Sequence, residues 1–71
     1  MSPNETLKGA ALKVRADHRS DDPNYPFWTA LADAMDQVAF AVRIDAGLLH
    51  RVGYGEVHEA AKAYLAAEVT P

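Results

Sequence analysis

The sequence predicts a small all-α domain of three helices, with four as the alternative, organised around a long central helix. Apolar residues recur at spacings of three and four along most of the 71 residues, which is the pattern of amphipathic helices. No stretch alternates apolar and polar residues over a useful length, so no strand is predicted. Alanine makes up about a fifth of the chain, and it both favours helices and lets them approach closely.

The first helix is predicted over residues 3 to 18. Ser2 stands at the cap position, Pro3 at the first helical position and Glu5 three residues after the serine, which is a capping box. The apolar face follows the helical spacing through Leu7, Ala10, Ala11 and Val14. A second face is basic apart from one leucine and consists of Lys8, Leu12, Arg15 and Arg19.

The central helix is predicted over residues 26 to 46, after a loop at residues 19 to 25 that is rich in Ser, Asp, Pro and Asn. Pro26 suits the first helical turn, where its missing N–H is not needed. Continuation to residue 51 is the alternative, because Gly47 in a helix interior costs only about 1 kcal/mol. The predicted core face comprises Phe27, Leu31, Ala34, Met35, Val38, Ala41 and Val42, widened by Trp28, Ala32 and Ala39.

Phe40 and Ile44 fall on the otherwise polar side of the central helix, so the helix is apolar nearly all round from residue 38 to residue 44. Such a helix needs cover on both sides. Another helix of the same chain or a partner would supply it, and we take both residues as candidates for a protein interface.

Three further aromatic residues are interface candidates, namely Trp28, Tyr25 and Tyr54. Aromatic side chains offer a large contact area with few rotatable bonds, which makes them frequent interface anchors. Core packing is the alternative, especially for Phe27 and Trp28, because a domain of this length needs its aromatic residues inside.

The last helix is predicted over residues 55 to 68, after a turn at Gly53-Tyr54-Gly55. Its apolar face consists of Val57, Ala60, Ala61, Tyr64 and Leu65. Residues 69 to 71 are predicted to fray.

Length and composition restrict the class of protein. A chain of 71 residues is near the lower limit for independent folding, and small domains often gain stability from disulfides, metals or association. There is no cysteine, which leaves association as the simplest of these. No signal-peptide layout or membrane span is present, so a soluble cytoplasmic protein is expected. The usage of alanine, arginine and valine suits a high-GC bacterium or its phage.

The titratable residues form no motif for catalysis. The histidines, His18, His50 and His58, lack the spacing of metal ligands on one helix. The carboxylate pairs, Asp33 with Asp36 and Glu56 with Glu59, fall where exposed, dipole-compensating residues belong. No nucleophile motif or Gly-rich phosphate loop occurs. We therefore predict no enzyme activity, no cofactor and no metal site.

The charge is divided unevenly along the chain. Residues 1 to 20 hold four basic and two acidic residues, whereas the remainder holds three basic and eight acidic ones. We expect the two parts to face each other, or neighbouring copies, with complementary fields.

Two hypotheses for function follow. The first is a non-catalytic protein-interaction module that forms a homo-oligomer, with a homodimer foremost, or that docks on a larger protein as a regulator or subunit. The alternative is a DNA-binding regulator that uses the basic face of helix one, through Lys8, Lys13, Arg15 and Arg19. The net charge of −3 argues against broad nucleic-acid binding, because phosphate contacts supply most non-specific affinity.

Overall fold

The computed structural model describes residues 2–67. Over that range it contains three α-helices and one 3₁₀ segment, and no strand or fourth α-helix. The elements are α1 (Pro3–Asp17), α2 (Tyr25–Ile44), the 3₁₀ segment (Ala46–His50) and α3 (Tyr54–Ala67). The predicted all-α class is therefore confirmed.

The start of α1 is held by hydrogen bonds between Ser2 and Glu5. The Ser2 hydroxyl accepts the Glu5 backbone N–H at 3.2 Å and lies 3.0 Å from the Glu5 carboxylate, to which it donates. The cap thus satisfies an N–H that has no partner inside the helix. At the other end, His18 has extended backbone angles and its N–H donates to the Val14 carbonyl at 3.2 Å. The helix ends at Asp17, one residue before the predicted end.

The loop between α1 and α2 is shaped by Asp22. Its carboxylate accepts the Asn24 N–H at 2.7 Å, and its carbonyl accepts the Tyr25 N–H at 3.0 Å. Such local bonds from an aspartate favour a turn over a helix. The central helix then begins at Tyr25, with Pro26 in its first turn.

The central helix ends at Ile44 and does not continue to residue 51. Asp45 has φ −143° and ψ 98°, and its carboxylate accepts the Gly47 N–H at 3.0 Å. An aspartate that bonds the backbone two residues on competes with the helical hydrogen bonds. The chain therefore leaves the α-helix at Asp45 and starts the 3₁₀ segment.

Gly53 sets the entry into α3. Its φ of 96° is the only positive φ among the described residues, and glycine adopts such a value without steric cost. The helix begins at Tyr54, one residue before the predicted start. The predicted end at residue 68 and the predicted fraying of residues 69 to 71 lie outside the described residues.

The three helices run up, down and up. The end of α1 meets the start of α2, where the His18 and Trp28 rings stack, and a pocket is lined both by the start of α1 and by the end of α2. These two helices are therefore antiparallel. Late in α3, Tyr64 bonds to Asp17 at the end of α1, so α3 runs parallel to α1. Within residues 2–67, every helix is too short or too polar to span a lipid bilayer.

The core is small and rich in alanine. Its buried apolar residues are Leu7, Ala10, Ala11, Val14, Ala32, Met35, Val38, Ala39, Val42 and Ala61. The four apolar positions predicted for helix one are all among them, whereas α3 contributes only Ala61. The predicted core position is wrong for Phe27, which is 58% exposed, because the neighbouring Trp28 packs against the core instead.

Candidate functional site

An ion pair fixes the relation between α1 and α2. The guanidinium of Arg15 lies 2.8 Å from Asp33 Oδ1 and 2.8 Å from Asp36 Oδ2. Hydrogen bonds to Asp36 and then to Asp33 raise the pKa of Arg15. The contact joins the basic first part of the chain to the acidic second part. Because all three side chains are partly solvated, it orients the helices more than it stabilises them.

Two apolar side chains lie next to this ion pair, one on each helix. Leu12 is three residues before Arg15, and Phe40 is four residues after Asp36. Residues three or four apart share a helix face. Since α1 and α2 are antiparallel, both displacements from the ion pair point toward the same end of the domain. Leu12 and Phe40 therefore lie beyond the ion pair toward the same end of the domain.

Ile44 extends this surface by one more turn of α2. Leu12 is 67% exposed, Phe40 58% and Ile44 70%. We call these three residues the α1–α2 apolar face. Phe40 and Ile44 are four residues apart on α2 and so are neighbours on its surface, and neighbouring exposed apolar side chains mark surfaces where proteins bind.

The third helix does not cover the α1–α2 apolar face. Tyr64 of α3 contacts Lys13 and Asp17 of α1. On a helical wheel these two residues lie on the opposite edge of the buried stripe of α1 from Arg15, and Leu12 lies nearly opposite the stripe. The α3 helix thus packs on one side of the α1–α2 pair and leaves the other side open.

The charges at the two ends of the apolar face have opposite signs. Asp33 and Asp36 lie before Phe40 along α2, and both pair with Arg15 of α1. After it comes Arg43, whose guanidinium carbon is 5.9 Å from the centre of the Phe40 ring, a cation–π distance. Within α2 the end beyond Phe40 is therefore basic, and the end before it carries a net negative charge. Asp45, just after the helix, uses its carboxylate to accept the Gly47 N–H.

The remaining interface candidates are less available. Trp28 is packed against the core and its ring stacks on that of His18, with 3.7 Å between ring centres and an angle of 8°. Tyr25 and Tyr54 are only moderately exposed and lie at the starts of different helices. The structure thus does not bring these three residues into the α1–α2 apolar face.

A cluster of His18, Trp28 and Tyr64, here called the aromatic junction, ties all three helices together at one end. The Tyr64 hydroxyl donates to Asp17 Oδ2 at 2.9 Å. Because a phenol has one hydrogen, His18 Nε2, at 3.0 Å from the same oxygen, must be the donor in their contact. Sequence analysis missed this cluster; its only local signal is a histidine just after α1 and a tryptophan just inside α2.

The acid–base properties of the junction suit a structural role. Burial, followed by the hydrogen bond to Asp17, raises the pKa of Tyr64 to about 12. Hydrogen bonds from Lys13 and then from Tyr64 lower the pKa of Asp17. A phenol with so high a pKa is a poor base at neutral pH. The adjoining cavity has a volume of about 120 Å³, well below the roughly 300 Å³ of small ligand sites.

The Tyr64→Phe variant is expected to lose less stability than the wild type does when the pH becomes alkaline. The unfolded chain releases the Tyr64 proton near pH 10 and the folded chain near pH 12. Its stabilising contribution is therefore complete below pH 10 and is lost as pH rises through this interval. The variant should also lose about 1 kcal/mol at pH 7, the usual contribution of one hydrogen bond. Urea unfolding at pH 7 and pH 11 measures both effects, and equal alkaline losses in the two proteins would contradict the assignment.

The four basic residues of the DNA-binding alternative do not form one open cationic surface. Arg15 is bound to Asp33 and Asp36, and Lys13 forms an ion pair with Asp17. Lys8 is exposed near the middle of α1, and Arg19 is exposed in the loop that follows the helix. The carboxylates beside the first two therefore reduce the positive field that a phosphate backbone would meet.

The remaining histidines, His50 and His58, line a broad cleft that is open to solvent, together with Glu56 and Glu59. Among residues 2–67, no group of three His, Cys, Asp or Glu side chains is arranged to hold a metal ion.

Comparisons with protein-family models, with curated proteins and with solved structures find no match to this chain.

Proposed function

We propose that this protein is a protein-interaction module that binds its partner through the α1–α2 apolar face. One observation carries the proposal: Leu12, Phe40 and Ile44 are each more than half exposed, and all three lie outside the buried stripes of α1 and α2. Complete burial of a side chain of this size contributes about 1.5–3 kcal/mol. A partner that covers the face would gain that energy without any rearrangement of the core.

The size of the core supports an association that also stabilises the fold. The largest fully buried side chains are only Leu7, Met35 and Val14, and the sequence has no cysteine with which to form a disulfide. Binding to the folded state alone raises stability by mass action. We propose the cytoplasm as its location, since a chain without disulfides suits a reducing compartment.

The interaction module is favoured over the DNA-binding alternative by the ion pairs of Arg15 and Lys13. Both cations lie against carboxylates of the same chain, and a phosphate would have to compete with them. The proposed partner is therefore a protein.

Site-specific photo-crosslinking in the native cells tests the proposal. With p-benzoylphenylalanine in place of Phe40, we expect a cross-linked product of defined mass on irradiation, either with a second copy or with another protein. The matched control carries the same photoreactive residue in place of Ala63, which is exposed on α3. Cross-linking at position 40 that does not exceed the control would refute the proposed binding face.

A further inference from the structure

We propose that the partner on the α1–α2 apolar face is a second copy of this chain, bound about a two-fold axis with the two α2 helices antiparallel. This inference rests on the proposed function and names its partner. The observation behind it is the arrangement of charge along α2, where carboxylates precede Phe40 and a guanidinium follows it.

The spacing of these charges fits a two-fold axis beside Phe40. Asp36 lies four residues before Phe40 and Arg43 three residues after it, which are distances of about 6 Å and 4.5 Å along the helix axis at a rise of 1.5 Å per residue. In an antiparallel pair centred between residues 39 and 40, Asp36 of each copy faces Arg43 of the other. The two Phe40 rings then meet near the axis.

The symmetry doubles every favourable contact. A two-fold interface uses the same patch on both copies, so one Asp36–Arg43 pair implies a second. A parallel arrangement of the same two helices would instead place carboxylates against carboxylates and guanidinium against guanidinium. Charge complementarity therefore selects the antiparallel arrangement, while Phe40 and Ile44 supply the apolar contact area.

The other charges near the face keep the acidic end negative and are mixed at the basic end. At the acidic end, the two carboxylates of Asp33 and Asp36 exceed the single guanidinium of Arg15. At the opposite end, Lys8 lies on α1 one turn before Leu12. Glu5 lies a further turn away, and its carboxylate accepts a hydrogen bond from the Ser2 hydroxyl. Asp45 directly follows Ile44, and its carboxylate accepts the Gly47 N–H. The basic end thus carries Arg43 and Lys8 beside the apolar residues, and its two carboxylates are engaged in local hydrogen bonds.

Charge reversal provides the test, with the mass measured by sedimentation equilibrium at low salt. Wild type is expected to have twice the mass of the chain, and Phe40→Asp the mass of a monomer with unchanged helicity by circular dichroism. Arg43→Asp should weaken dimerisation roughly tenfold to a hundredfold, because it places carboxylates across the axis. Arg43 has no ion pair with another residue between 2 and 67, so this change leaves the contact between α1 and α2 intact.

A pair of complementary charge reversals distinguishes the proposed Asp36–Arg43 pairing from a general effect of charge. Asp36→Arg alone should also weaken the dimer, whereas a mixture of Asp36→Arg and Arg43→Asp chains should form a heterodimer with both ion pairs restored. The Arg15–Asp33 contact remains in the first variant, and its circular dichroism shows whether it folds. If Asp36→Arg does not fold, the test is decided by Arg43→Asp and Phe40→Asp.

Two results would overturn this inference. Wild type that stays monomeric up to millimolar concentration excludes the second copy, and a dimer that Arg43→Asp and Phe40→Asp leave unchanged excludes this face. The proposed function is judged separately. The wild type could be a monomer and still cross-link to a different protein more strongly at position 40 than at position 63. That result would support the binding face and exclude only a second copy as the partner.

Discussion

Trp28→Ala should remove more than half of the free energy of unfolding, whereas Phe27→Ala should remove much less of it. The two residues are adjacent and both aromatic, but Trp28 packs against the core and stacks on His18, while Phe27 is 58% exposed. Removal of a well-packed tryptophan side chain costs about 3 kcal/mol. The total stability of a domain of this length is on the order of 5 kcal/mol, so the loss takes away most of it.

The matched variant has a smaller effect because Phe27 contributes little besides its contact with Trp28. Their ring centres are 4.9 Å apart at an angle of 72°, an edge-to-face arrangement that is worth about 1 kcal/mol. Urea unfolding followed by far-ultraviolet circular dichroism measures both variants without relying on tryptophan fluorescence. Equal losses of unfolding free energy would show that Phe27, too, is part of the core.

Gly55→Ala and Gly9→Ala should shift the unfolding midpoint in opposite directions. A Cβ on Gly55 would lie 2.7 Å from the carbonyl oxygen of Leu49, a backbone atom, whereas a Cβ on Gly9 would meet no atom within 4 Å. The first change forces the start of α3 away from the 3₁₀ segment, at a cost of about 1–3 kcal/mol. The second replaces a glycine inside α1 and should add up to about 1 kcal/mol of stability.

Thermal unfolding at one protein concentration compares these variants, because association would make the midpoint depend on concentration. A stabilised Gly55→Ala protein would mean that the start of α3 can move away from the 3₁₀ segment without a loss of unfolding free energy. A destabilised Gly9→Ala protein would mean that a binding partner approaches α1 closely at that position.

The helices themselves were predictable because their signals are local. The bond between Ser2 and Glu5 spans three residues, and Pro26 restricts only its immediate neighbours. The end of α2 was less certain from the sequence, since Gly47 allowed the helix to continue or to stop. The structure shows that α2 stops before Asp45, whose carboxylate accepts the Gly47 N–H.

The sequence by itself determined the all-α class, the start of α1 and the exposed placement of Phe40 and Ile44 outside the core stripe, because each depends on residues within one or two helical turns. Only the tertiary structure decided that Trp28 and not Phe27 turns inward, that Arg15 binds the carboxylates of α2, and that His18 meets Tyr64 from 46 residues away. These contacts depend on how the helices are rotated and placed against one another. Helical periodicity defines a buried stripe, but it does not choose between neighbouring residues at its edge or pair side chains across helices.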